Sequence, residues 1–258
     1  MKKILILLFV IGFINLLNAQ STLNVGSGQA YSTIQSAIDA AQSGDVIMVD
    51  AGTYYENVLI NKSLVLRGPN YLISPNTGTR TDEAVIDGTG LSSNLITVKA
   101  NNVSIEGFKL SNSQNYAIDC EWVSGDAAHW TYLTIQNNEI LGSTENAIQM
   151  IRTYGGITVK DNYIHDLTVG TISGIYFYYD SDPYSYNNLI KDNVITNTSY
   201  SGILINGTAV TIEGNNISNT QEQGIQVTGN PTEVSILNNE ISNTNIIEEE
   251  TKGGIRIK

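Results

Sequence analysis

A three-residue unit recurs six times between Val103 and Ile236, in five copies as two apolar residues around one polar residue and in the remaining one with Asn188 in the first apolar place. The copies are Val103-Ser104-Ile105, Leu133-Thr134-Ile135, Ile157-Thr158-Val159, Asn188-Leu189-Ile190, Val210-Thr211-Ile212 and Val234-Ser235-Ile236. Three residues after the unit, five copies carry an asparagine (Asn138, Asn162, Asn193, Asn215, Asn239) and the first carries Phe108. Two residues further stands Leu110, Ile140, Ile164, Ile195, Ile217 or Ile241. Each copy then reaches a second short run led by Ala117-Ile118, Ala147-Ile148, Gly174-Ile175, Gly202-Ile203, Gly224-Ile225 or Gly254-Ile255. Ile203 and Ile225 lie 22 apart, and Ile212 and Ile236 lie 24 apart.

A period in the low twenties, cut into runs of three to five residues, leaves no room for a helix in each repeat. It predicts an all-β chain, a single-stranded parallel β-solenoid with about ten coils stacked at about 4.8 Å, a rod on the order of 50 Å long; its hand is implied only by the resemblance described below to a right-handed parallel β-helix. Leucine-rich repeats are the alternative, and their leucine spacing is missing here. Within each run, alternation sends residues such as Ile148 and Met150 inward and Gln149 and Ile151 outward. The asparagine column predicts a ladder at a tight corner, with each amide donating and accepting along the stack and its backbone taking the left-handed conformation of the turn.

Before the repeats, Ser32-Thr33-Ile34-Gln35 has the pattern of a capping box, and Ile34, Ala37, Ile38 and Ala41 follow at helical spacing. A short helix over 32–42 is predicted, placed to cover the first coil. The sequence stops within a repeat at Lys258, which leads us to expect further C-terminal coils or a domain. Lys2 and Lys3, the apolar run Ile4 to Leu17, and Asn18-Ala19-Gln20 read as a signal peptide over 1–19, leaving 20–258 as the β-helix domain. As a membrane anchor the run is shorter than the roughly 20 residues that span a bilayer. The mature chain is therefore expected to lack a membrane span and to be secreted, extracellular or at a cell surface, with a bacterial periplasm as a further location.

Charge narrows the partners. Thirteen Lys and Arg against 25 Asp and Glu give −12, so nucleic-acid binding is disfavoured. One cysteine, Cys120, forms no internal disulfide, and two histidines, His129 and His165, make a zinc cluster improbable.

Tyr31-Ser32-Thr33-Ile34-Gln35-Ser36-Ala37-Ile38, Ser43-Gly44-Asp45-Val46-Ile47, Gly52-Thr53-Tyr54-Tyr55-Glu56 and Leu64-Val65-Leu66-Arg67-Gly68 resemble the opening coils of the pectin-lyase-like right-handed β-helix superfamily, pectin methylesterases included. The aspartate-bearing Asp-Phe-Ile-Phe-Gly-like segment of those esterases has no counterpart here. Tyr179-Asp180-Ser181-Asp182-Pro183-Tyr184 is similar to the Tyr-x-x-Asp-Pro-His segment of alginate C5-epimerases and related lyases, with Tyr184 in the place of the histidine. The resemblance implies a polysaccharide as partner and functional positions at Tyr179 and Asp182.

Aligning the Ala/Gly-Ile runs gives two outward columns. One is Thr97, Asp119, Gln149, Tyr176, Leu204, Gln226, Arg256; the next is Lys99, Glu121, Ile151, Tyr178, Asn206, Thr228, Lys258. Insertions after these runs bring Trp122, Asp126, His129, Trp130, Asp180, Asp182, Tyr184 and Tyr186 above the same face. Aromatic faces flanked by acids and amides suit sugar rings, so Asp119, Glu121, Trp122, Trp130, Gln149, Tyr176 and Tyr184 are candidate substrate-binding residues. The structural alternative is that the outward tyrosines only stiffen the sheet. Abstracting a proton beside a uronate carboxylate needs a base, a proton donor and positive charge; Lys99, His129, Arg152, Tyr178, Tyr179 and Asp182 are the candidates. Asp180 and Asp182, with Asp119 and Glu121 nearby, are candidate ligands for Ca²⁺, whose hard charge prefers oxygen and would offset the acidic field that repels a polyuronate.

His165 is expected as an exposed turn residue, Lys160-Asp161 and Lys191-Asp192 as crossed surface pairs, and Glu248 to Glu250 as a solvated loop. Two functions remain open: a uronate-polysaccharide lyase or C5-epimerase, or a non-catalytic glycan-binding or adhesin module.

Overall fold

The computed structural model describes residues 19–121, 131–151, 153, 155–167, 169–170, 172–178, 186–207, 209–229, 231–244 and 254–257. The leader over 1–18 and the Glu248 to Glu250 segment lie outside them. Among the described residues, no helix is long and apolar enough to cross a membrane.

Three parallel sheets run the length of the molecule, with nine strands in the first and eight in each of the others. One coil passes from the first sheet (Leu133–Gln136) through a tight corner to the second (Glu139–Leu141), then to the third (Ile148–Ile151) and back to the first (Thr158–Lys160). Every pairing joins a strand to its equivalent one coil away, so side chains fall into vertical columns, such as Ile118, Ile148, Ile175, Ile203 and Ile225. These columns meet in one continuous core of Ile, Val and Leu, with Phe108 and Phe177 among its largest members. Each buried aliphatic side chain stabilises by about 1.5–3 kcal/mol, so the columns carry most of the stability. Gly202 sits where the third sheet crosses close to the second: a Cβ there would lie 2.4 Å from Cγ2 of Ile217.

The asparagine ladder is present. Nδ2 of Asn138, Asn162, Asn193 and Asn215 donates to Oδ1 of the next asparagine up the stack at 2.8–3.1 Å, ending on Asn239. Each Nδ2 also donates across the corner, as Asn193 does to the Val159 carbonyl at 2.9 Å. Asn138, Asn162, Asn193 and Asn215 are wholly buried. The left-handed residue, however, is not the ladder asparagine but the one before it: Asn137, Asp161, Asp192 and Asn238 have φ of 53–57°, with Gly107 and Gly214 in the same place. A buried amide that must hold four partners sits on an ordinary backbone, and the turn strain falls on the residue before it. Asn188 replaces an aliphatic residue in the core column of the first sheet, accepting from the Ile157 amide and donating to the Ala209 carbonyl, both at 3.2 Å.

The helix spans Ile34–Ala40 and buries Ile34, Ala37 and Ile38. Its cap is Thr33, which accepts from the Ser36 amide, rather than Ser32. Glu56 accepts the free Ile34 and Gln35 amides at 2.8 and 2.9 Å, where a carboxylate complements the helix N-terminus. Gln35 in turn accepts the Leu59 amide at 2.8 Å, satisfying the edge of the first strand of the third sheet.

Lys160 and Lys191 are not crossed. Lys191 Nζ pairs with Glu213 at 3.4 Å, and Lys160 Nζ lies 3.9 Å from its own neighbour Asp161. Lys191 thus pairs straight up the stack with its register partner on the next coil, while Lys160 stays with its own coil. Burial, with Asp192 adding repulsion, raises the Asp161 pKa.

Residues 68–83 leave the coil and lie as a strap along the corner between the first and second sheets. Arg80 is fixed bidentately to Glu83 at 2.6 and 2.7 Å and donates to the carbonyls of Asn137 at 2.7 Å and Phe108 at 3.3 Å. Asn137 Nδ2 returns a bond to the Tyr71 carbonyl at 2.7 Å. Farther along, Asn76 Nδ2 donates to the carbonyls of Asn162 at 3.3 Å and Asp192 at 3.1 Å. Gly107, at φ +75°, is required beneath the strap, since a Cβ would lie 2.1 Å from the Tyr71 nitrogen.

Candidate functional site

The third sheet presents the two outward columns in the register expected from sequence. Thr97, Asp119, Gln149, Tyr176, Leu204, Gln226 and Arg256 are successive pairing partners, as are Glu121, Ile151, Tyr178, Asn206 and Thr228. The faces these columns offer differ sharply along the axis.

Asp119 and Gln149 are buried, at 7% and 2% exposure. Gln149 Nε2 donates to Asp119 Oδ1 at 3.2 Å, and Asn94 Nδ2 donates to Asp119 Oδ2 at 2.9 Å. Asn115 Nδ2 holds Asn94 Oδ1 at 2.7 Å, and Asn146 Oδ1 accepts the Ser173 amide at 2.9 Å. Asn94, Asn115 and Asn146 come from the turns that precede the strands. Their amides make a second polar ladder, outside the sheet, in which each carboxylate oxygen of Asp119 already holds an amide. This lattice positions the neighbouring strands and leaves Asp119 and Gln149 supporting the face from below.

Above them, Tyr176 and Tyr178 are half-buried, with ring centroids 6.3 Å apart and planes tilted by 42°. Burial raises the Tyr176 pKa, with Tyr178 and Tyr116 adding to the effect, so its phenol stays a donor across the neutral range. Lys99 is exposed and shares the column of Tyr178 three coils away, roughly 14 Å at about 4.8 Å per coil. The two are therefore too far apart to meet at one reacting atom. Of Glu121 only the strand position is described. Trp122, Asp126, His129, Trp130, Arg152, Tyr179, Asp180, Asp182 and Tyr184 lie outside the described residues.

Two aromatic residues at the exit of these loops complete the described part. Tyr132 and Tyr186 are 54% and 42% exposed and share a hydrogen bond that raises the Tyr186 pKa. Tyr132 has φ +56°, a left-handed position that recurs before each strand of the first sheet in this part of the stack, at Asn102, Gly156, Asn187, Ala209 and Glu233. A bulky residue there carries strain of about 1–2 kcal/mol, set by the corner that every coil of this stack repeats. Neither Tyr132 nor Tyr116 was a sequence candidate.

Among the described residues, no group of three His, Cys, Asp or Glu side chains is placed to hold a metal ion. His165 departs from its expected exposed turn. It lies within the strand Tyr163–Leu167 with its side chain 12% exposed, because the second-sheet strand continues past the corner. Its Nδ1 is 2.8 Å from Asp166 Oδ2, its Nε2 is 3.4 Å from Glu139 Oε1, and its ring stacks on Tyr163 at 4.1 Å. Lys109 Nζ holds the same Glu139 oxygen at 2.8 Å. The bond to His165, with Lys109, lowers the Glu139 pKa to about 2, and the two carboxylates raise that of His165 against the effect of burial.

Comparison with known proteins agrees with this architecture. The chain is 31% identical over 225 residues to a cell surface glycoprotein of Methanothermus fervidus, covering 78% of this chain and 35% of that protein. It thus spans about a third of that relative's length. A pectate lyase superposes with a TM-score of 0.60 at 14% identity, over 78% of this chain and 54% of the lyase. The A-module of a mannuronan C-5 epimerase of Azotobacter vinelandii gives 0.50 at 16% identity, over 86% and 74%. At such identities these two likenesses speak for the fold alone. Residues 93–257, well over half of the sequence, match the family described as the right handed beta helix region, and with three sheets stacked coil on coil to account for that match, the chain belongs to this family.

Proposed function

We propose that this is an exported, cell-surface β-helix protein that recognises polysaccharide along the outer face of its third sheet. The observation that carries the reading is the aromatic surface of Tyr176 and Tyr178, 6.3 Å apart and set on the buried amide lattice of Asn94, Asp119 and Gln149. Flat apolar rings beside hydroxyl and amide groups are what the C–H faces and hydroxyls of sugars need. A rigid column repeated at each coil suits an extended chain lying along the axis. The strained Tyr132, paired with Tyr186, adds a ring at the loop exits. The surface location is supported by the leader-like N-terminus and by the relative that is a cell surface glycoprotein.

The catalytic version of this reading is a uronate lyase or C5-epimerase. A lyase takes the C5 proton, forms the C4–C5 double bond, breaks the C4–O bond and returns a proton to the leaving oxygen. An epimerase returns the proton to the opposite face of C5. His129, Tyr178 or Tyr179 would move these protons, Lys99 and Arg152 would hold uronate charge, and Asp182 would orient a neighbour. Calcium would draw on Asp180 and Asp182; Asp119 holds amides on both oxygens and offers no comparable site. The non-catalytic module is the second reading, favoured by that same commitment of Asp119 to structure.

Incubation with alginate, pectate and glycosaminoglycans, with and without Ca²⁺, tests all of this. Ultraviolet absorbance of unsaturated ends identifies a lyase, and proton NMR of uronate composition identifies an epimerase. Binding with neither change identifies the surface module. Absence of binding to every polysaccharide, or binding unchanged in Tyr178→Ala, overturns the assignment of this face.

A further inference from the structure

Tyr132 closes the insertion that follows Glu121, and Tyr186 closes the one that follows Tyr178. Stacking brings these two ends together. Thr131, Gly155 and Tyr186 are bridge partners on successive coils, so Tyr132, Gly156 and Asn187 stand beside them. The Tyr132 amide donates to the Gly155 carbonyl and the Gly156 amide to the Tyr186 carbonyl, both at 3.0 Å. Between the two tyrosines the intervening coil carries only Gly155 and Gly156, and so no side chain. A Cβ on Gly156 would lie 2.7 Å from Cδ1 and 3.0 Å from Cε1 of Tyr132, which places that ring across the bare coil towards Tyr186. The two hydroxyls meet there in a hydrogen bond.

Both phenols are open to solvent, at 54% and 42% exposure, so an oxidant reaches them without disturbing the core. Hydroxyls in hydrogen-bond contact also bring the flanking ortho carbons, the Cε atoms of each ring, to one side of the contact, where a small ring rotation joins them. The geometry of a covalent link is already present. The chain's single cysteine, Cys120, is buried, so no disulfide within it can tie coil to coil. Tyr176 and Tyr178 are also close, with centroids 6.3 Å apart, but they are half-buried neighbours on one strand. A link between them would hold nothing that the strand does not hold already.

We infer that Tyr132 and Tyr186 form an oxidative coupling site, joined ortho carbon to ortho carbon as a dityrosine that staples the roots of the two insertions. Each phenol gives up one electron and one proton to become a phenoxyl radical. The radicals combine in a single Cε–Cε bond, and the hydrogen on each joined carbon moves to its ring oxygen as aromaticity returns. The co-reactant is hydrogen peroxide acting through a haem peroxidase; one peroxide takes up the two electrons and two protons and leaves as two waters. The link closes a loop over the coils of Tyr132, Gly156 and Tyr186, which then open only together. The insertions beside the third-sheet face thereby keep a fixed spacing at their roots.

Treatment of the full chain with a haem peroxidase and limiting hydrogen peroxide tests it, with the monomer then isolated, its dityrosine fluorescence read and its peptides mapped by mass spectrometry. The expected product is a fluorescent monomer in which the peptides of Tyr132 and Tyr186 are joined with the loss of two hydrogens. Its urea midpoint should lie above that of the untreated chain. Tyr132→Phe and Tyr186→Phe keep each ring and remove its phenol, and each should lower the monomer fluorescence at least tenfold. Tyr178→Phe should leave it unchanged, as should Tyr55→Phe on an early coil, where exposure is 63%. A monomer without fluorescence, coupling only between chains, a link mapped to another pair of tyrosines, or a yield unaffected by Tyr132→Phe overturns the inference. An unmoved urea midpoint in the coupled monomer overturns the staple.

Discussion

Glu139 and His165 stand on adjacent coils of the second sheet, 3.4 Å apart, with Lys109 on one side of the pair and Asp166 on the other. The pairing raises the His165 pKa and lowers that of Glu139 to about 2. Because His165 binds its proton more tightly in the folded state, its contribution is full below its unfolded value of about 6.5 and is lost as pH rises through the raised folded value. Glu139 contributes above its unfolded value of about 4.3, and loses that contribution as pH falls towards its folded value. The cluster therefore stabilises most between roughly pH 4.5 and 6.5. Glu139→Gln should lower the His165 midpoint in an NMR titration and cost about 1 kcal/mol at pH 5.5 but less at pH 8. A His165 that titrates at or below 6.5 in the unaltered chain refutes the coupling.

The ladder makes a sharper demand on chemistry than on size. Asn193→Ala strips Asn162 Nδ2 and the Asn162 amide of their acceptor and leaves the Val159 carbonyl without its donor. At about 1–3 kcal/mol for an unsatisfied buried group, urea unfolding should show a loss of about 3 kcal/mol. Asn193→Asp should cost more, since a carboxylate cannot donate and its charge is buried. A change within 0.5 kcal/mol for the alanine variant, about that of an ordinary surface substitution, contradicts the role assigned to the ladder.

Arg80 joins the strap to two coils and to its own base at Glu83. Arg80→Ala should free the strap while the coils remain folded. Chymotrypsin should then cut near Tyr71 and Leu72, the latter already 77% exposed, at least tenfold faster than in the unaltered chain, with the circular dichroism of the sheets preserved. Equal cleavage rates argue that the strap is held by its other contacts.

On the polysaccharide face, Tyr178→Ala should weaken binding about tenfold, or about 1.4 kcal/mol. Tyr178→Phe should retain most of it if ring contact dominates, and isothermal titration distinguishes the two outcomes. A phenylalanine variant as weak as alanine transfers the role to the hydroxyl.

How much of this was legible follows from what kind of information a repeat contains. Column membership was read correctly from Asp119 through Gln149 to Tyr176 and Arg256, because parallel pairing maps equal positions onto each other. Burial was not, because alternation tells which side of a sheet a residue takes and nothing about what lies over that side. Asn94, Asn115 and Asn146, scattered through turns, cover the column that was expected to meet solvent. The left-handed corner was placed one residue late because Asn137-Asn138 and Asn238-Asn239 offer two asparagines each; Gly107 and Gly214, in the earlier position, were the discriminating residues. The strap has no periodicity, and its bonds reach 57 residues to Asn137 and 116 residues to Asp192.

Those long reaches alter how the solenoid comes apart. A stack whose coils touch only their immediate neighbours frays from its ends, one layer at a time. Here the strap from Tyr71 to Arg80 clasps the corner across the coils of Phe108, Asn137, Asn162 and Asp192, so none of these coils can leave without breaking a bond to the strap. The middle of the rod is thereby bound into a single cooperative block, and loosening that starts from the C-terminal side should halt at the coil of Asp192.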